Sequence, residues 1–168
     1  LTKQYLWNWY VAALNAIAFL FLFFGVGLYA DAFLQLIFLS ISIYGVIKWR
    51  NGGDDGKNSL RVRNNTKLEA LTLLPLAALG IIGVAVFLRT QTDSTVYWFD
   101  AAILILSVLA TYGQSKKIIE SWYVWIVVDI ISIPLYFYKG LTLTALLYGI
   151  FLTLCIIGAY RWNKDKKE

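Results

Sequence analysis

At 168 residues with 60% apolar, 17% aromatic and only 15% charged side chains, the chain lies outside the composition of a soluble domain and reads as an integral membrane protein. It has no histidine and one cysteine, Cys155, which removes the commonest metal ligand and general base and leaves no disulfide framework or thiolate cluster. The net charge of +5 suits an anionic inner leaflet, so no nucleic-acid partner is read from it.

Six apolar segments follow in order, at about 5–24, 30–49, 68–89, 98–114, 117–138 and 141–162, each near the ~20 residues that cross a bilayer as a helix. The breaks carry turn chemistry: Gly25 and Gly27 with Asp31 beyond, the run from Asn51 to Gly56, Thr92 to Ser94, and Lys139 with Gly140. The longest connection, 50–67, is polar and basic and is expected to be mobile. With Lys3 on the cytoplasmic side, alternate crossings place thirteen of the fifteen lysines and arginines there and leave only Arg89 and Lys139 outside. The positive-inside rule therefore predicts that both ends of the chain face the cytoplasm.

Sliding the chain by 113 residues reveals an internal repeat. Residues 8–11 (Asn-Trp-Tyr-Val) fall on 121–124 (Ser-Trp-Tyr-Val), Gly27 on Gly140, Gly45 on Gly158 and Trp49 on Trp162; between 3–50 and 116–163, 17 of 48 ungapped pairs are identical. The first and fifth segments enter from the same side, so the copies are parallel, one of the established transporter architectures. The predicted fold class is an all-α integral membrane protein built as parallel three-helix repeats joined by a linker helix, three plus one plus three. The first helix is expected before Leu1. The layout is then 1–50 first repeat, 51–67 basic cytoplasmic loop, 68–97 linker helix and outer loop, 98–163 second repeat, and 164–168 cytoplasmic tail.

A carboxylate deep in an apolar run needs a reason, because an ionisable side chain at the bilayer centre costs at least ~2.5 kcal/mol. Asp129 is the one carboxylate well inside a segment, since Asp100 lies near an end. On a helix Trp122, Trp125, Asp129, Ser132 and Tyr136 recur at spacings of three, four, three and four and form one stripe. Two indole faces beside a carboxylate suit a flat, positively charged ring. The same stripe would also serve as a packing seam between helices. Further candidates are the amides Asn15 and Gln35, since a buried unpaired amide is costly, and the polar positions Ser107, Thr111 and Tyr148. Ser and Thr in such helices more often bond their own backbone. Gly45 and Gly158 are expected at close helix contacts, Trp49 and Trp162 as interfacial anchors, and Pro75 and Pro134 inside helices.

The residues Trp122 to Trp125 followed by Asp129, the run from Asn15 to Ala30, Gln35 to Gly45, and Asp100 to Ser107 resemble the PnuC-type bacterial vitamin transporters, the nicotinamide riboside transporter family. Nearly the whole chain is covered. The resemblance implies a fold like that of the SWEET sugar transporters, a homotrimer in the bacterial cytoplasmic membrane, and facilitated uptake of nicotinamide riboside trapped by cytoplasmic phosphorylation. The pyridinium would stack on Trp122 or Trp125, Asp129 would face its charge, and Asn15 and Gln35 would bond the ribose or carboxamide. Some relatives have an amide where this chain has Asp129, so the resemblance leaves the vitamin open, and thiamine, also a flat cation, is the alternative cargo. No nucleotide-binding loop, metal cluster or catalytic constellation is visible, so neither an enzyme nor a cofactor is expected. A membrane structural or assembly protein is the alternative from another class; its stripe would pack dry.

Overall fold

The structure, a computed structural model, describes all residues except 26, 28, 53–59, 93, 94, 167 and 168, and the side chains of 29–31 are likewise not described. Six helices succeed one another: α1 Trp7–Gly25, α2 Tyr29–Asn51, α3 Lys67–Gln91, α4 Tyr97–Ser115, α5 Glu120–Tyr138 and α6 Thr142–Asp165. Each contains the apolar segment read from the sequence, to within about three residues at either end. Pro75 and Pro134 lie inside α3 and α5. α3 starts on a capping box, in which the Thr66 hydroxyl accepts from the Glu69 amide and the Glu69 carboxylate accepts from the Thr66 amide.

α1 packs on α2, α5 on α6, and α4 touches α2, α3 and α5. α4 therefore joins the two helix hairpins. Five helices are long and apolar enough to cross a membrane, and α4 is the exception. Its position explains this. Beyond Trp98 and Phe99 none of its residues is exposed, so it faces protein and tolerates the polar Ser107, Thr111 and Gln114 that a lipid-facing helix would exclude. The outer faces of α1, α3 and α6 instead expose Phe21, Leu71, Leu79, Leu143 and Ile150, as a surface solvated by hydrocarbon requires.

The 113-residue repeat recurs in three dimensions. Trp9 lies over Gly45 so closely that a Cβ there would stand 2.5 Å from the indole, and Trp122 lies over Gly158, where the same distance is 2.7 Å. Trp9 meets Trp49 edge to face at 5.6 Å and 81°; Trp122 meets Trp162 at 5.4 Å and 89°. The hairpin turns use Gly27 (φ +78°) and Gly140 (φ +75°), a left-handed conformation that favours glycine. The approach to each first helix uses Gln4 (φ 54°) and Lys117 (φ 52°), another equivalent pair. Trp49 and Trp162, 6.2 Å apart, join the two copies into one chain of four indoles.

Two expectations are corrected. Trp49 and Trp162 are not interfacial anchors: Trp162 is wholly buried, and the Trp49 indole N–H donates to the Gln114 and Ser115 carbonyls at the end of α4. The connection 50–67 is held in place where it is described. Arg63 donates its amide to the Lys117 carbonyl and accepts from the Ile119 amide, each at 3.0 Å, while its guanidinium grips Glu69 through two 2.7 Å bonds. Glu120 accepts from the Asn64 side chain and the Asn65 amide, so this segment ties α3 to the α4–α5 turn. Lys117, packed at that turn over the Trp49 ring, is pushed below its ordinary lysine range by burial. The remaining part of this connection, 53–59, lies outside the described residues.

Gly158→Ala should destabilise the protein by about 1–3 kcal/mol, because the new methyl overpacks against Trp122. Gly149→Ala, in the same helix with nothing within 4 Å, should be neutral or stabilising by up to about 1 kcal/mol. Thermal unfolding in detergent followed by tryptophan fluorescence compares them. Equal midpoints for the two variants would show that the indole–glycine contact is not a point of close packing.

Candidate functional site

Between the two hairpins lies a cavity of about 450 Å³, walled by α1, α2, α4 and α5. α1 presents Trp9, Ala12, Ala16, Phe19 and Phe23, spaced three, four, three and four, so one stripe of the helix faces it. The two alanines open room between the aromatic ends of that stripe. Gln35, Phe38 and Ser42 come from α2, Thr111 and Gln114 from α4, and Trp125 from α5, while Asn15 flanks the α1 stripe. Its wall therefore combines aromatic faces with three amides and two hydroxyls. Among the described residues no charged side chain is part of the lining.

Hydrogen bonding separates the polar groups. The Thr111 hydroxyl donates to the Ser107 carbonyl at 2.7 Å, and the Ser42 hydroxyl to the Phe38 carbonyl at 2.8 Å, as membrane-helix hydroxyls tend to do. Each keeps only acceptor capacity for a guest. Among the described residues the Asn15 and Gln35 side chains make no hydrogen bond to the protein, so both retain donors and an acceptor. Such a wall can hold a flat ring by stacking and grip carbonyl, amide and hydroxyl groups at its edge.

Of the residues singled out in the sequence, the structure brings Asn15, Gln35, Thr111 and Trp125 together in this cavity. Ser107 stands on α4 outside the lining and contributes its carbonyl to Thr111. Trp122, Asp129 and Tyr148 lie in the α5–α6 seam: Trp122 on Gly158, Asp129 beside the Cys155 thiol, and Tyr148 stacked on Tyr136 at 5.1 Å. The stripe thus divides, with Trp125 reaching the cavity while its neighbours pack against α6. Asp129 is 1% exposed, yet among the described residues its Oδ2 has no hydrogen-bond partner, and neither has the buried Ser132 hydroxyl one turn on. The equivalents of Asp129 and Cys155 in the first copy are Ala16 and Ser42, both lining the cavity.

Sequence reasoning missed Trp9, Phe19, Phe23 and Phe38 as wall residues. The signal was present in α1, whose positions 9, 12, 16, 19 and 23 have the spacing of the α5 stripe, but that stripe carries no charged side chain to mark it as a site. Gln114 lies on α4 three residues beyond Thr111, on the same helix face.

Comparison with known proteins shows the family of the chain. A family model described as nicotinamide mononucleotide transporter matches residues 1–164. The riboflavin/roseoflavin transporter RibM of Streptomyces davaonensis is 30% identical, over 95% of this chain and 76% of its own length. The nicotinamide riboside transporter PnuC of Escherichia coli is 23% identical, over 96% of this chain and 77% of its own length. A crystal structure of the vitamin B3 transporter PnuC superposes with a TM-score of 0.68 at 20% identity, covering 99% of this chain and 75% of that one. These relatives are transporters rather than enzymes, which also displaces the structural or assembly reading. With its helix hairpins and the cavity between them, the chain is a multi-pass membrane protein belonging to the nicotinamide mononucleotide transporter family.

Proposed function

We propose that the protein mediates facilitated uptake of nicotinamide riboside across the bacterial cytoplasmic membrane, with the vitamin trapped inside by phosphorylation and the transporter assembled as a homotrimer. The observation that carries the cargo reading is the convergence of Trp125, Asn15, Gln35 and Thr111 on one cavity of about 450 Å³, within the ~300–1,000 Å³ range of small-molecule sites. The nicotinamide ring stacks on Trp125, and the two free amides meet its carboxamide and ribose. Asp129 stands one helical turn from Trp125 with an uncommitted oxygen, so its field acts on a cationic ring through a wall of low dielectric.

A second reading is riboflavin. It is favoured by a cavity wall without a charged side chain among the described residues, which suits a neutral ring system, and by the similarity to a riboflavin/roseoflavin transporter. Thiamine shares the charge argument with nicotinamide riboside but offers no carboxamide to the amides.

Uptake of each labelled vitamin into proteoliposomes without nucleotide separates these cargoes. Nicotinamide riboside should equilibrate fastest. Faster riboflavin entry would transfer the assignment, and entry of none of the three would overturn it. Asp129→Asn should weaken the cation by at least roughly thirtyfold, about 2 kcal/mol, and leave a neutral analogue of the same shape less affected. Equal losses would make Asp129 a residue of the seam alone. Trp125→Ala should cost either cargo about 1 kcal/mol through the lost ring face.

Access to the cavity gives an independent test. With Cys155 replaced by serine, Asn15→Cys and Gln35→Cys should react with a polar, membrane-impermeant thiol reagent, and added vitamin should slow the reaction. Val128→Cys, at the position equivalent to Asn15 and fully buried, should stay unreactive. Labelling of Val128→Cys alone would place the aqueous path in the seam instead.

A further inference from the structure

We propose that the trough between α3 and α5 binds one phospholipid with a primary-ammonium headgroup, of the phosphatidylethanolamine type, drawn from the leaflet at the basic end of the bundle. α3 and α5 both pack on α4 and not on each other, which leaves a trough of about 420 Å³ open to the membrane. Leu73, Leu109 and Val124 make its interior apolar, the surface an acyl chain requires. Its mouth is polar and carries both signs of charge, from Asn65, Lys67 and Glu120.

Each group at the mouth lacks a complement. Lys67 is the first residue of α3, where a cation opposes the helix dipole, and among the described residues it makes no ion pair or hydrogen bond. A phosphate there answers the Lys67 ammonium. Glu120 accepts from Asn64 and Asn65 but meets no cation among the described residues, and the Asn65 Oδ1 is buried without a donor. An unpaired buried acceptor is costly, so a small group with N–H donors is favoured at this point. One zwitterionic headgroup supplies both complements at once: its phosphate to Lys67, its ammonium to Glu120 and Asn65 Oδ1. A choline headgroup has the charge but no N–H, and a phosphatidylglycerol headgroup brings no cation to Glu120. This inference does not depend on which vitamin is carried.

Native mass spectrometry of the detergent-purified protein, titrated with synthetic phosphatidylethanolamine, phosphatidylcholine and phosphatidylglycerol of identical acyl chains, tests it. Phosphatidylethanolamine should bind about tenfold more tightly than phosphatidylcholine, as one charge-assisted hydrogen bond allows. Lys67→Ala should weaken it by a similar factor, and Leu73→Trp, which fills the trough, should reduce it to the level of the other lipids. Lys67 is exposed and its replacement leaves the packing intact, so that variant carries the test should Leu73→Trp fail to fold. Equal binding of all three lipids, or tighter binding of phosphatidylglycerol, would overturn the proposal. A change in oligomeric mass in Leu73→Trp would assign the trough to a second copy of the chain and overturn it equally.

Discussion

The contact on which the rest of the structure depends is an indole laid flat on a glycine, made twice. Trp9 on Gly45 and Trp122 on Gly158 set the distance between the helices of each hairpin, because the ring occupies the space where a side chain would stand. In lipid, helices gain little from burying apolar surface against each other, so close packing at small residues carries much of the association. Trp49 and Trp162 then extend these contacts across the molecule. The Trp49 N–H on the carbonyls that end α4 fixes the hub helix to the same cluster. Trp9 also lines the cavity, so the wall of the site and the scaffold of the hairpin are one side chain.

The two copies have kept this scaffold and diverged beside it. Where the first copy has Ala16 and Ser42, the second has Asp129 and Cys155. Ala16 is small, and the Ser42 hydroxyl is satisfied by its own backbone, so neither of these two positions carries an unmet polar group. At the equivalent place the second copy keeps a carboxyl oxygen and, one turn on, a hydroxyl without partners. Buried unsatisfied groups persist where something other than stability holds them, and the pair lies one turn behind the cavity wall. At these equivalent positions the unpartnered oxygens of the described residues fall on α5 alone.

Much of this was legible in the sequence, for identifiable reasons. Segment length and the turn residues gave the six helices, and the register of 113 gave Trp9 with Trp122 and Gly45 with Gly158, because paired tryptophans and glycines are too sparse to align by accident. Asn15, Gln35 and Trp125, which the structure brings to one cavity, stood out because an amide or indole inside an apolar helix is conspicuous, and Thr111 because it is a polar position in such a helix. The division of the α5 stripe was not legible. Helical periodicity states which residues share a face, but whether that face meets α6 or a cavity depends on how the helices cross, and Trp122 and Trp125 differ by only one turn. The role of Trp49 and Trp162 escaped for a related reason: a tryptophan near a helix end looks the same whether it meets headgroups or a neighbouring helix end. The segment around Arg63 looked like an ordinary basic loop, since the grip on Glu69 and on the α4–α5 turn is non-local.

The position of Asp129 sharpens what a charged cargo would require. A carboxylate on the cavity wall would form a direct ion pair with a cationic ring and would have to be desolvated in the empty state. Set behind Trp125 in the seam, the same charge is already removed from water, so binding a guest need not strip it again. Its attraction is weaker with distance but less screened, because the intervening medium is protein rather than solvent. A neutral guest would gain nothing from that field and would be held by the aromatic faces and amides alone. A guest's charge alone therefore decides whether Asp129 can act on it from one turn behind the wall.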